Sequence, residues 1–190
     1  MEIHETALPG VLLLTPRRFG DGRGWFTESW SARRMEEAGL VFDWVQDNHS
    51  HSAEAGTVRG LHYQAPPSAQ TKLVRVVRGR VLDVAVDVRR GSPTYGQWVA
   101  EELSAENGAQ LLVPKGFLHG FATLEPATDV LYKVDAFYDP VTDGAVRFDD
   151  PGLGIDWGID PASAVLSDKD AAAPAFADFD SPFDWAPPGA

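Results

Sequence analysis

Residues 58–88 read VRGLHYQAPPSAQTKLVRVVRGRVLDVAVDV, and this stretch carries the clearest secondary-structure pattern in the chain. Arg59 to Gln64 and Thr71 to Val77 alternate their side chains between two faces, and a loop with two prolines separates them. Arg78-Gly79-Arg80 then predicts a turn into a third strand, Val81 to Val88. Alternation with a period of two between short Gly and Pro turns is typical of β-strands. The stretch therefore predicts three consecutive strands of a β-rich domain.

The same kind of pattern continues on both sides of this stretch. Further strands are predicted at Val11–Thr15, Trp25–Trp30, Val41–His49, Gly96–Leu103, Ala109–Val113, Gly120–Thr123 and Val130–Phe137. We also expect a turn-rich loop at Phe19–Gly24 and short helices at Ser31–Gly39, with Ser31 as N-cap, and at Asp168–Ala173. Strands spaced by about 8–12 residues predict a sandwich or barrel. The expectation is one all-β domain over residues 1–190 with a few short helices.

Composition and charge exclude several classes of protein. The 190 residues contain no cysteine, which excludes disulfides, thiol nucleophiles and cysteine-ligated zinc. The net charge of −12 argues against nucleic acid and anionic membranes as partners, because the field of the chain would repel polyanions. No apolar run is long enough to span a bilayer, and Met1–Pro9 lacks a signal-peptide pattern. We therefore expect a cytoplasmic protein that acts on a small molecule.

Two segments resemble the paired motifs of the cupin barrel. Pro114–His119 matches the second motif, which places Pro, Gly and His on a turn that enters a strand. The first motif supplies two histidines and a glutamate to a metal, whereas Gly60–Gln64 offers His62 alone and has Gln64 at the second position. Lys72 lies near the expected glutamate, and a cation there opposes metal binding. The resemblance implies a double-stranded β-helix, or jelly-roll, barrel without the cupin metal site.

A competing metal site is the sequence His49-Ser50-His51. Both imidazoles would project from the same face of a strand, as metal ligands do. No third ligand is in register with them, and the segment also fits a polar strand end. A metal-dependent cupin oxygenase or isomerase is therefore the alternative that this pattern leaves open.

A more specific resemblance covers nearly the whole chain. Its segments are Phe19–Phe26, Gln46–Ser50, Arg59–Gln64, Lys72–Arg75, Asp83–Asp87, Ser92–Trp98, Leu103–Asn107, Tyr132–Lys133 and Leu166–Ala171. They occur in the order found in the dTDP-4-dehydrorhamnose 3,5-epimerase family, which the chain resembles. Each segment alone is weak evidence, but nine together are specific. The resemblance implies an isomerase that acts on a dTDP-4-keto-6-deoxyhexose and needs no cofactor and no metal.

The chemistry of such a reaction sets its own requirements. Inverting a carbon next to a ketone needs a base on one face, an acid on the other and a group that stabilises the enolate oxygen. The resemblance implies that His62 is the base, oriented by Asp170, that Lys72 stabilises the enolate, and that Tyr132 is the acid. Lys72 shares a face of its predicted strand with two valines, which indicates a side chain that points inward.

The resemblance also implies a set of substrate-binding residues. Arg23 and Arg59 match positions that bind the diphosphate, which arginine can contact through two nitrogens at once. The other matching positions are Phe19, Phe26, Glu28, Gln46, Asn48, His119, Tyr138, Asp143 and Lys169. Asp143 stands where many relatives have a glutamate, so the side chain that would make this ligand contact is shorter here. In the family some of these residues come from a partner chain, so the resemblance also implies a homodimer.

The sequence leaves open which carbons are inverted. Relatives that invert both C3 and C5, C3 alone or C5 alone share the same histidine, lysine and tyrosine. The 3,5-epimerase is the first expectation, and a single-site epimerase of an unusual deoxysugar pathway is the alternative. A non-catalytic sugar-nucleotide binder is a third hypothesis, against which the intact set of catalytic residues argues.

Overall fold

Strands dominate the computed structural model, which describes residues 1–187 and leaves residues 188–190 of the predicted domain outside the described part. The strands are β1 (Glu2–Glu5), β2 (Leu12–Thr15), β3 (Arg18–Asp21), β4 (Gly24–Thr27), β5 (Gln46–Ser52), β6 (Val58–Gln64), β7 (Lys72–Arg78), β8 (Arg80–Asp87), β9 (Trp98–Ser104), β10 (Gln110–Val113), β11 (Phe117–Thr123), β12 (Thr128–Val134) and β13 (Asp143–Ala145). The helices are α1 (Ala32–Glu37), α2 (Asp168–Ala171) and two short 3-10 turns, Pro161–Ser163 and Phe176–Asp178. None of the helices within residues 1–187 has the length and apolar character needed to cross a membrane.

The strands form two antiparallel sheets and one separate hairpin. The six-stranded sheet has the order β1-β2-β10-β7-β12-β5, and the five-stranded sheet has the order β13-β6-β11-β8-β9. β3 and β4 pair with each other in a third, two-stranded sheet. Several neighbouring strands are distant in sequence, as in jelly rolls. This arrangement confirms the prediction of an all-β, cupin-type jelly-roll barrel with a few short helices.

Alternating side chains fill the space between the two large sheets. Val74 and Val76 of β7 and Val81 and Ala85 of β8 belong to one buried cluster to which both sheets contribute. Because side chains two residues apart share a face of a strand, Lys72 points to the same interior as Val74. The predicted inward orientation of this lysine is confirmed. Each buried aliphatic side chain contributes about 1.5–3 kcal/mol, so the walls of the interior are firmly packed.

The C-terminal third of the chain covers the outer face of the five-stranded sheet. Phe148, Leu153, Trp157 and Phe183 are buried there against β8 and β6. The indole N–H of Trp157 donates to the carbonyl oxygen of Phe148 at 2.8 Å, which satisfies its one buried polar group. This packing anchors the segment that brings α2 back to the interior.

The structure corrects the predicted loop at Phe19–Gly24. This segment forms most of a β-hairpin, in which Arg18–Asp21 pairs with Gly24–Thr27 around the two-residue connection Gly22-Arg23. The chain turns at Asp21, whose carboxylate accepts the backbone N–H of Arg23 at 2.8 Å. Gly and Asp at a two-residue connection are a hairpin signal, and the loop interpretation overlooked the alternation on either side of it.

The structure also shifts the strand predicted at Val41–His49. Residues 41–44 do not pair with a sheet, Val45 makes a single backbone hydrogen bond to Val134 at 3.0 Å, and the strand begins at Gln46 and continues to Ser52. Phe42 and Trp44 instead pack against the buried Met35 of α1 on the outer face of the six-stranded sheet. Their apolar alternation therefore reflects packing under a helix rather than strand pairing.

Smaller differences concern the termini of elements. α1 begins at Ala32, and Ser31 is its N-cap residue as predicted, although the side chain of Ser31 makes no capping hydrogen bond. By contrast, Ser167 caps α2 through its side chain. The short polar strands β1 and β13 were not expected, because neither alternates strongly enough to be recognised.

Gly60 allows the close approach of β6 and β11. Its φ is +142°, and a Cβ added there would lie 2.5 Å from Cα of Gly120. We expect Gly60→Ala to lower the free energy of unfolding by about 3 kcal/mol, because strained backbone and a backbone clash combine. Urea denaturation measures this. Gly91→Ala is the matched control, since its φ is +81° with open space around it, and equal losses in both variants would contradict the role assigned to the contact.

Candidate active site

A cavity of about 400 Å³ lies between the two large sheets. The six-stranded sheet contributes residues of β5, β7 and β12 to its wall, and the five-stranded sheet contributes residues of β6 and β11. The lining residues are Ser50, Thr57, Val58, Arg59, His62, Lys72, His119, Phe121, Tyr132, Val165, Leu166, Ser167 and Asp170. Converging polar groups in a partly apolar wall are typical of small-molecule sites. All four predicted catalytic residues line this cavity.

His62 projects from β6 and is held by the carboxylate of Asp170. Nε2 of His62 lies 2.5 Å from Oδ1 of Asp170. Ser167 fixes the carboxylate, since its hydroxyl donates to Oδ2 of Asp170 at 2.9 Å and accepts the backbone N–H of Asp170 at 3.1 Å. Burial opposes ionisation of Asp170, but hydrogen bonds from His62 and Ser167 outweigh it and lower the pKa of this carboxyl. An ionised Asp170 bound to Nε2 leaves Nδ1 of His62 free to take a proton.

Lys72 is the first residue of β7 and brings an ammonium group to the cavity. Burial lowers the pKa of Lys72 to about 8, while the charges of Asp83 and Asp143 oppose this shift and the charge of Lys169 adds to it. At neutral pH the side chain is therefore mainly protonated. A cation in a wall of low dielectric interacts strongly with a negative charge that develops beside it.

Tyr132 enters the cavity from the sheet opposite to that of His62. It lies on β12, where it pairs with Asn48 of β5 and Val74 of β7. Burial raises the pKa of Tyr132, with the charge of Arg59 acting against the shift and that of Asp143 adding to it. The phenol is therefore protonated at neutral pH and able to donate. Because His62 and Tyr132 come from different sheets, they can address opposite faces of a bound ring.

His119 is the direct neighbour of His62 across the pairing of β11 with β6. Its Nε2 lies 2.8 Å from Oδ1 of Asp83, and both side chains are buried. Burial lowers the pKa of His119, although the charge of Asp83 opposes the shift. A neutral His119 that donates from Nε2 presents Nδ1 as a hydrogen-bond acceptor.

Three further predicted binding residues lie on β5 and β6. Arg59 lines the cavity, and its guanidinium donates to the carbonyl oxygen of His51 at 3.0 Å. Gln46 and Asn48 share a face of β5 with the cavity residue Ser50. Gln46 donates to the side-chain oxygen of Asn48 at 2.8 Å, so the two amides form a hydrogen-bonded pair on the face of β5 that also carries Ser50.

A second group of predicted binding residues is linked by a hydrogen bond to this amide pair. The backbone N–H of Tyr138 donates to the side-chain oxygen of Gln46 at 3.2 Å, and its hydroxyl donates to Oδ2 of Asp143 at 3.1 Å. The ammonium group of Lys169 donates to the same oxygen. The ring of Tyr138 is 57% exposed, which leaves it free to contact a ligand. The structure thus groups Tyr138, Asp143 and Lys169 together, next to α2.

The remaining predicted binding residues do not line the cavity of this chain. Phe19, Arg23 and Phe26 lie on the hairpin of β3 and β4, where Phe26 is 69% exposed and Arg23 forms an ion pair with Asp21. Glu28 follows the hairpin and forms an ion pair with Arg34 at 2.6 Å. These residues form a projecting aromatic and charged surface rather than a wall of the cavity.

The alternative metal residues are also placed away from the cavity lining. His49 and His51 are exposed, and each has a ring nitrogen 3.0 Å from the same oxygen, Oδ1 of Asp129. Within residues 1–187, no group of three or more His, Cys, Asp or Glu side chains has a geometry that could hold a metal ion.

Several cavity residues escaped the sequence analysis. Ser50 and Phe121 line the wall, and the hydroxyl of Ser50 has no hydrogen-bond partner among the described residues. Their alternation with inward-facing neighbours on β5 and β11 was the available signal. Asp83 stands behind the wall, and its position between the aliphatic residues Val81–Leu82 and Val84–Val86 was a signal that a charge is buried there.

Comparisons with known proteins identify the family of the chain. Residues 5–178 match the family model described as dTDP-4-dehydrorhamnose 3,5-epimerase. The chain is 51% identical to the Pseudomonas aeruginosa enzyme of that name over 181 residues, which cover 95% of this chain and 98% of the other. Its structure is similar to that of a Bacillus anthracis dTDP-4-dehydrorhamnose 3,5-epimerase with TDP and PPi bound, with a TM-score of 0.89, 51% identity and coverage of 92% and 98%.

A second solved structure carries a sugar nucleotide. It is a dTDP-6-deoxy-D-glucose-3,5-epimerase from Legionella pneumophila in complex with dTDP-4-keto-L-rhamnose. The chain matches it with a TM-score of 0.92 and 44% identity, over 97% of this chain and 99% of the other. By its match to the family model over residues 5–178 and its identity with these relatives, the chain belongs to the dTDP-4-dehydrorhamnose 3,5-epimerase family of isomerases.

Proposed function

We propose that the protein inverts C3 and C5 of a dTDP-4-keto-6-deoxyhexose by removing and returning protons next to the ketone. The observation that carries this proposal is the placement of His62 and Tyr132 on facing sheets of one cavity that Lys72 also lines. A base, an acid and a cation in this arrangement meet the three requirements of epimerisation beside a carbonyl. The complex of the Legionella relative with a dTDP-4-keto sugar supports the substrate class.

The proposed reaction balances without any redox step. Nδ1 of His62 takes the proton from the carbon beside the ketone. The C–H electron pair forms a double bond to C4, and the π pair of the carbonyl moves to the C4 oxygen, which gives the enolate. The ammonium group of Lys72 stabilises this oxygen, and the carboxylate of Asp170 stabilises the imidazolium. Tyr132 then gives its phenolic proton to the opposite face of the same carbon, and both residues return to their starting states by exchange with solvent. The substrate carbonyl supplies the acidity, so we expect neither a metal nor an organic cofactor.

The proposal assigns the nucleotide to the polar groups around the cavity. Arg59 is the proposed diphosphate contact inside the chain, because its guanidinium lies in the cavity wall. His119 is assigned to a sugar hydroxyl. Two further groups are assigned to the nucleotide and its phosphates. They are the amide pair Gln46 and Asn48, and the hydrogen-bonded group of Tyr138, Asp143 and Lys169.

We further propose that the protein is a homodimer in which the hairpin of one chain completes the site of the other. Phe19 and Phe26 are exposed apolar rings, and Arg23 and Glu28 accompany them outside the cavity of their own chain. An exposed aromatic surface of this kind is typical of an interaction site. In this arrangement Arg23 would reach the diphosphate of the neighbouring chain. The single domain over residues 1–190 and the cytoplasmic location remain predictions.

Exchange with heavy water tests the proposed reaction. When the protein is incubated in D₂O with dTDP-4-keto-6-deoxy-D-glucose, we expect deuterium at C3 and C5 by NMR, together with the inverted product. Label at one carbon only would instead support a single-site epimerase. Binding of the nucleotide without label would contradict catalysis and favour the non-catalytic binder. Turnover that requires a stoichiometric metal would contradict the proposed mechanism in favour of a metal-dependent enzyme.

A further inference from the structure

Asp83 is a buried carboxylate directly behind the wall of the cavity. It lies on β8 between Val81 and Ala85, on the strand face that packs into the interior cluster, and its side chain is fully buried. A charged side chain is rarely found in such surroundings without a partner. Asp83 does not line the cavity, so it cannot act by touching the substrate.

Asp83 accepts a side-chain hydrogen bond through only one of its two carboxylate oxygens. Oδ1 accepts from Nε2 of His119 at 2.8 Å, while Oδ2 has no hydrogen-bond partner among the described residues. Removing a carboxylate from water is costly unless other groups compensate for the lost hydration. One neutral imidazole compensates only in part, so a positive charge nearby would stabilise this carboxylate further.

Lys72 supplies that charge. The charged or titratable groups that act on Lys72 are Asp83, Asp143, Lys169 and His119, and His62 shares its cavity. Asp143 already accepts from Lys169 and Tyr138, so part of its charge is neutralised at close range. Among residues 1–187, Asp83 has no lysine or arginine within ion-pair distance. Its negative charge is therefore the larger of the two influences that favour the ammonium form of Lys72, against the burial that lowers the pKa of this lysine to about 8.

We propose that Asp83 is a positioning residue that fixes the ring of His119 and keeps the positive charge of Lys72 in the cavity beside the substrate ketone. It acts on both through the interior of the barrel, from the strand next to β11. His119 then donates to Asp83 from Nε2 and offers Nδ1 as an acceptor to a sugar hydroxyl. Lys72 stays charged at the pH of the reaction. This inference rests on the proposed epimerase function and assigns a further residue to it.

The pH dependence of turnover tests the effect on Lys72. In the unchanged protein kcat/KM should fall above about pH 8 as Lys72 loses its proton. Asp83→Asn keeps the size of the side chain and removes the charge, so the fall should begin about one pH unit lower. At each pH, kcat/KM of the variant is divided by kcat/KM of the unchanged protein. Because one pKa unit corresponds to a tenfold change in the protonated fraction, this quotient should be close to tenfold smaller at about pH 9 than at about pH 6.

Asp87→Asn is the matched control. Asp87 is also fully buried and lies on the same face of β8, but its carboxylate is held by Arg89, Ser92 and Thr94, outside the cavity lining. We expect this variant to lose stability and to keep the alkaline fall of kcat/KM near about pH 8. If Asp83→Asn loses activity equally at every pH, or if both variants shift alike, the role assigned to the charge of Asp83 is wrong.

A measurement on the unchanged protein keeps the inference testable if Asp83→Asn does not fold. The ¹⁵N shifts of His119 should report a neutral imidazole with its proton on Nε2. A proton on Nδ1 would overturn the positioning of His119 by Asp83. Failure of the proposed function is distinguishable from both results, because the unchanged protein would then place no deuterium in the substrate at any pH.

Discussion

The His62→Ala variant is expected to place no measurable deuterium at C3 or C5 of the substrate, whereas the unchanged protein labels both carbons. Proton removal precedes every later step of an epimerisation through an enolate, so the loss of the base stops exchange as well as inversion. A positioned general base contributes about 10²–10⁴-fold to the rate, and the loss should be at least of that order. Exchange in D₂O, followed by NMR, measures both carbons in one experiment.

A matched histidine is present on the outer surface. His49 also contacts a carboxylate, that of Asp129 at 3.0 Å, but it is exposed and lies outside the cavity. His49→Ala should therefore exchange both positions at the normal rate. Retained binding of dTDP by His62→Ala, measured by calorimetry, shows that the variant is folded. Normal exchange by a folded His62→Ala would show that another group is the base.

The fold was predictable where side chains alternate, and it was missed where packing overrides alternation. β6, β7 and β8 were recognised because their side chains alternate between two faces and turns separate them, and the inward lysine followed from the alternation in β7. Residues 41–45 alternate as well, but they pack beneath α1, a contact that no local pattern encodes. Sheet order was equally out of reach, because β5 pairs with β12 across almost eighty residues.

The individual site residues could be predicted through resemblance. Which of them line the cavity and which lie on the hairpin could not. His62, Lys72, Tyr132 and Asp170 converge on one cavity even though they come from four different elements. The matching positions on β3 and β4 carry the same kind of resemblance, yet they are not among the residues that line that cavity. Position within a motif therefore does not state whether a residue lines the cavity of its own chain.

Residues behind the wall of the cavity were the hardest to recognise. Asp83 belongs to a matching segment, but a carboxylate in an aliphatic strand does not by itself reveal its partner. The contact with His119 joins β8 to β11, which are separated by more than thirty residues in sequence. Only the three-dimensional pairing of these strands brings the carboxylate of Asp83 to the imidazole of His119.

The second large effect is expected for Tyr132→Phe. Because His62 and Lys72 are unchanged, the enolate should still form and the original face should still be reprotonated by His62, now carrying solvent deuterium. Exchange at C3 and C5 should therefore continue within about tenfold of the normal rate, while inversion falls by about 10²–10⁴-fold through loss of the acid. NMR of the sugar after incubation in D₂O distinguishes the two results, since labelled substrate and inverted product have different signals.

Tyr63→Phe is the control for this change. Tyr63 lies on the same strand as His62, but its ring packs against Phe179 and Phe183, outside the cavity lining. Loss of its hydroxyl should leave both exchange and inversion unchanged. If Tyr132→Phe loses exchange and inversion in parallel, Tyr132 acts before or during proton removal rather than after it. Since burial raises the pKa of Tyr132, its phenol keeps its proton throughout the neutral range, which is the state an acid on the opposite face must be in.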